Sequence, residues 1–196
     1  MRTRDPNRLF RNGTMSVGIL ASYVLAYAVV EYAFTPVQGF FLPEITTYAS
    51  LCYLPHGVKV IATWFYRWKA LPAIYAGGFF GAYFFWGSQV APSDLIIPIA
   101  VSAVSAYVAL LLISLSGRSA FFDSDKTDRK IYVHLIGVGL ASSIFNSIAL
   151  LLIAPGHIFA DMLSITLVAH IVGDNIGLIA LLFILMLFFR AQRRLS

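Results

Sequence analysis

Of the fourteen Lys and Arg residues in this chain of 196, thirteen stand in four short stretches, and long apolar runs separate those stretches. Arg2, Arg4, Arg8 and Arg11 form the first, Arg67 and Lys69 the second, Arg118, Lys126, Arg129 and Lys130 the third, and Arg190, Arg193 and Arg194 the last. Each intervening run holds windows of about 20 residues with one charged residue or none, the length a helix needs to cross a bilayer. Charged residues make up 12% of the chain, about half the share of a soluble domain. Lipid offers no partner to a free backbone group, so helices or closed barrels alone can span it. These runs are too long and continuous for barrel strands. The expected fold is all-α, a polytopic membrane bundle forming a single domain.

The remaining gaps, Thr35–Glu44, Gly87–Asp94 and Ala154–His157, contain no Lys or Arg. Basic loops stay on the cytoplasmic side. The alternation therefore predicts six transmembrane helices, at about 15–34, 48–66, 70–86, 95–115, 131–153 and 159–189, with both termini cytoplasmic. The first run is long and lacks a small-residue cleavage site, so it is read as a retained helix. The net charge of +5 belongs to loops on an anionic membrane face and not to a nucleic-acid surface. Cys52 is the single cysteine, which leaves no disulfide framework and no Cys-based metal site. No Ser/His/Asp order, phosphate loop or metalloprotease motif is present, so the expectation is a non-enzymatic protein without a cofactor.

The fourteenth basic residue is Lys59, inside the second apolar run and one helical turn after His56. A charge at that depth costs a few kcal/mol or more and needs a partner. Counted from Tyr48, His56 lies roughly 12 Å deep and Lys59 roughly 16 Å; counted from Asp161, His170 lies roughly 13 Å deep and Asp174 roughly 19 Å. Lys59 and Asp174 are thus expected to pair, with His56 and His170 above them. Glu31, Asn146 and Asn175 would complete a polar pocket in the outer half. Gly77 and Gly81, and again Gly173 and Gly177, are small residues four apart that let another helix approach closely. Histidines beside an ion pair could bind an anion, respond to pH or take a metal, and facing histidines could ligate a haem. The competing reading of the Lys59–Asp174 pair is a structural pin that fixes helix register. His134 and His157 are placed at membrane surfaces, and the aromatic third helix in lipid contact.

Pro55-His-Gly-Val-Lys59, then Trp68-Lys-Ala-Leu-Pro72 and Gly77-Gly-Phe-Phe-Gly81, resemble the MASE1 membrane sensor domain, and Gly173-Asp-Asn-Ile-Gly177 is similar to a glycine-aspartate segment near that domain's end. The resemblance implies a bacterial inner-membrane module that senses a signal and acts through a partner chain. The six helices read here are fewer than that family usually has. Two other readings fit the composition: the substrate-binding subunit of an uptake transporter of the energy-coupling-factor type, and a structural accessory subunit of a larger membrane complex. The expected partners are the lipid bilayer, a membrane protein or second copy, and a small polar ligand.

Overall fold

The computed structural model describes residues 6–46, 49–86, 91–115, 131–153 and 163–195. Every regular element among them is helical. The loops holding Arg118, Lys126, Arg129, Lys130 and His157 lie outside the described residues.

The first helix is longer than expected. Helix α1, Pro6–Val29, runs through a π turn at Val30–Phe34 straight into α2, Thr35–Phe41. The sequence reading ended this helix at Phe34 because Thr35-Pro36 looked like a loop. Pro36 has no N–H to give and crowds the preceding turn; the wider π turn, closed by Thr35 N–H on Val30 O, accommodates it. A short α3, Pro43–Thr46, follows.

The second helix is shorter than expected. It does not start at Tyr48: α4 spans Leu54–Tyr66, and residues 49–53 are non-helical. Pro55 is the cause. Within a longer helix its ring would strike the carbonyl of Leu51, whereas in a first turn it is welcome. At 13 residues, α4 is about 20 Å long. It ends at Arg67, whose φ of 55° breaks the helix, and a 3-10 turn, Arg67–Ala70, leads into α5, Leu71–Trp86. Then come α6, Pro92–Leu115, α7, Ile131–Ile153, and α8, Leu163–Leu195.

Helix α4 is the axis of the fold and packs against α1, α5, α6, α7 and α8. Residues 54–60 are all buried. One apolar cluster joins α4 to α1 and α5 through Tyr23, Tyr27, Leu54, Val58 and Ile74; another joins it to α6, α7 and α8 through Val60, Ala106, Leu110, Val138 and Leu178. Alanines at 103, 106 and 109 keep α6 slim where it meets its neighbours. Gly77 and Gly81 of α5 lie under the rings of Tyr23 and Tyr27 of α1.

The polarity is inverted relative to a soluble protein. Lys59 and His56 are among the largest fully buried side chains, while Val168, Val172, Ile176, Ile179 and Phe183 of α8 face outward. An apolar shell around a polar centre is what a lipid solvent selects. Among the described residues four helices are long and apolar enough to cross a membrane: Gly13–Phe41, Ser93–Leu115, Ile131–Leu150 and Leu167–Arg194. The chain is a membrane protein.

Candidate functional site

The non-helical stretch before α4 runs through protein, where its backbone groups need partners. Tyr53 N–H donates to Gly173 O of α8 at 3.0 Å. Gln38 of α2 closes the other side: its Oε1 accepts from Leu51 N–H at 2.7 Å, and its Nε2 donates to Ala49 O at 2.7 Å. The glycines of α8 make the approach possible. A Cβ on Gly173 would strike Ser50 O, and one on Gly177 would strike Tyr53 O. These two small residues therefore receive a strand of irregular backbone and not a neighbouring helix. Gln38 points inward because the π turn adds a residue to the register ahead of it.

This anchoring fixes the first turn of α4 against α8, and so fixes His56. His56 Nε2 lies 3.2 Å from Gly139 O of α7. A carbonyl only accepts, so Nε2 carries a hydrogen. His56 Nδ1 lies 3.1 Å from Asp174 Oδ2. The approach is oblique, so charge more than a linear hydrogen bond joins them. The contact is a buried histidine–carboxylate pair, in which a proton standing on either partner would be favoured. The Ser143 hydroxyl of α7 lies beside Asp174, which sits at the positive end of the α4 dipole.

Lys59, one turn on, does not reach Asp174. Its Nζ donates to Ser102 Oγ and Ser105 Oγ of α6, both at 3.2 Å. Ser105 in turn donates to Ser102 O at 2.8 Å and lies 3.0 Å from Ser142 Oγ of α7. In place of the ion pair expected between Lys59 and Asp174, His56 meets Asp174, because Lys59 projects from the α4 face that meets α6. The field of Asp174 still reaches Lys59. His56, Lys59 and Asp174 are 0%, 1% and 6% exposed.

The other expected residues spread around this centre. His170 is half-buried, one turn before Asp174 on α8. Asn175 turns back on its own helix, with Nδ2 donating to Ile171 O at 2.8 Å. Glu31 lies in the π turn, and its charge is felt by Tyr27. Tyr53 Oη donates to Tyr27 Oη at 2.6 Å, and Tyr23, Tyr27 and Tyr53 all feel the charge of Asp174. Sequence reading missed Gln38, Ser142, Ser143 and Gly139 altogether. The polar role of Ser102 and Ser105 also went unread, although their three-residue spacing already put both hydroxyls on one face. A cleft of 790 Å³ between α1, α4 and α8, lined by Ile19, Val58, Ile61, Phe65 and Leu181 with Lys69 at its rim, opens on the opposite face of α4. No group of three or more His, Cys, Asp or Glu among the described residues has the arrangement of a metal site.

Comparison with family models, with characterised proteins and with solved structures finds no match to this chain.

Proposed function

We propose that this chain is a non-enzymatic sensor-like module of a bacterial inner membrane, whose responsive element is the buried His56–Asp174–Lys59 centre and whose ligand is a proton. The observation that carries this reading is the 3.1 Å approach of His56 Nδ1 to Asp174 Oδ2 in the buried interior. Two potentially cationic groups share one carboxylate, and a net charge in such a site costs several kcal/mol. The centre therefore gains by changing its proton count. Losing the shared proton sets a lone pair on Nδ1 against the carboxylate and drives the first turn of α4 away from α8. That movement reaches Arg67 and Lys69 through a rigid helix about 20 Å long, where a partner chain reads it. The charged and titratable groups facing the pair are Lys59 on α4 and the tyrosines at 23, 27 and 53. In this reading α4 and α5 complete a six-span topology with cytoplasmic termini: residues 49–53, extended, add up to about 16 Å to α4.

Amide hydrogen exchange of the chain in lipid nanodiscs tests it. After correction for the intrinsic rate, protection of residues 51–57 and 173–178 should fall together as pH rises, and Asp174→Asn should abolish that dependence. Protection that does not change with pH would return the pair to the role of a structural pin.

A second reading, a transporter subunit, is favoured by the helix that begins inside the bundle against irregular backbone, a feature of substrate-binding helices in transporters. Co-purification with an ATPase module would select it, and a fixed complex with other membrane proteins would select an accessory subunit.

A further inference from the structure

Helices α7 and α8 run antiparallel, with Gly139 beside Leu178 and Ser143 beside Asp174. One turn further along α7, on the same face, is Ser147, opposite the α8 turn that carries His170. Asn146 shares this side of α7. Asn146 and Ser147 are 8% and 2% exposed, yet Asn146 Oδ1 and Ser147 Oγ have no hydrogen-bond partner among the described residues. A buried hydroxyl or amide without a partner costs about 1–3 kcal/mol. Two in adjacent positions, in line with a carboxylate, mark a place where water supplies the missing bonds. The line leads away from the Arg-bearing ends of the helices, and Asn146 is roughly 10 Å from the far end of α7.

We propose that the seam between α7 and α8, lined by Ser143, Asn146, Ser147, His170 and Asp174, holds water and opens the His56–Asp174 pair to the aqueous phase at the Arg-free end of the bundle. Its use as a proton path rests on the sensor reading above; its hydration does not.

The test is thiol labelling of the full chain in oriented membrane vesicles, with Cys52→Ala as background. Ser147→Cys and Asn146→Cys are compared with Ile148→Cys, which replaces an exposed apolar residue of the same turn. A thiol reacts as its thiolate, which needs water. A charged, impermeant methanethiosulfonate added at the Arg-free side should label Ser147→Cys on the order of tenfold faster than Ile148→Cys. If Ser147→Cys fails to insert, Asn146→Cys decides. Labelling no faster than at position 148, or only from the Arg-bearing side, would overturn the path. Labelling as expected alongside hydrogen exchange that ignores pH would keep the path and overturn the proton reading, so the two failures are separable.

Discussion

Replacing Lys59 with methionine removes a charge held by two serine hydroxyls and keeps most of the stem that fills the space between α4 and α6. Among the described residues Lys59 Nζ contacts hydroxyls and no carboxylate, so an apolar side chain of similar volume relieves the cost of burying the charge and should leave stability unchanged or raised. Asp174 should behave oppositely. Asp174→Ala leaves His56 and Lys59 with no buried anion, and removal of one partner of a buried pair costs about 3–5 kcal/mol. Unfolding in mild detergent should therefore rank Lys59→Met at or above the native chain and Asp174→Ala well below it; the reverse order would place the centre's counter-charge on Lys59. All three charged groups were legible in the sequence, because an ionisable residue in a membrane helix is rare and costly. Their pairing was not. Lys59 and Asp174 share a depth, but the direction in which each side chain leaves its helix decides who meets whom. The serines escaped notice because a serine in a membrane helix is ordinary until it lies opposite an ammonium.

At the scale of elements, the seam between residues 49–53 and α8 stands or falls with two hydrogen atoms. Gly173→Ala and Gly177→Ala each press a methyl group onto a backbone carbonyl that cannot move aside without losing the Tyr53–Gly173 bond. Both should destabilise beyond the few kcal/mol of ordinary overpacking and lower the yield of folded protein in detergent. Gly137→Ala on α7, where a Cβ meets nothing within 4 Å, should gain up to about 1 kcal/mol of helix propensity. Equal effects at the three positions would mean that the irregular stretch does not sit on α8. The small-residue pairs were readable as places of close approach, but what approaches was not. A pattern of glycines four apart says that backbone comes near and is silent on whether that backbone is helical. Pro55 carried the missing information, since it set where α4 could begin. Pro36 misled: in water Thr35-Pro36 reads as a turn, and here a π turn lets the helix run through it.

The described helices form an apolar shell over a polar axis, and the placement of the arginines predicts an orientation. A fluorescent reporter joined after Ser196 should mature in the cytoplasm, and alkaline phosphatase joined within 154–160 should be active outside; the opposite pattern would invert the bundle. Helical class and membrane placement were plain from the sequence, because hydropathy over windows of about 20 residues integrates many weak preferences. Local breaks depend on single residues and do not survive such averaging. The π turn at Val30–Phe34 shows what one residue can carry. Deleting any residue within it would remove the extra residue of the turn and leave the identity of every polar side chain of the centre unchanged. It would also turn everything beyond by about 100° and swing Gln38 off Ala49 and Leu51. The latch that holds α4 in the interior is thus keyed by chain length, and a sequence comparison blind to gaps would see an intact protein that had lost its hinge pin.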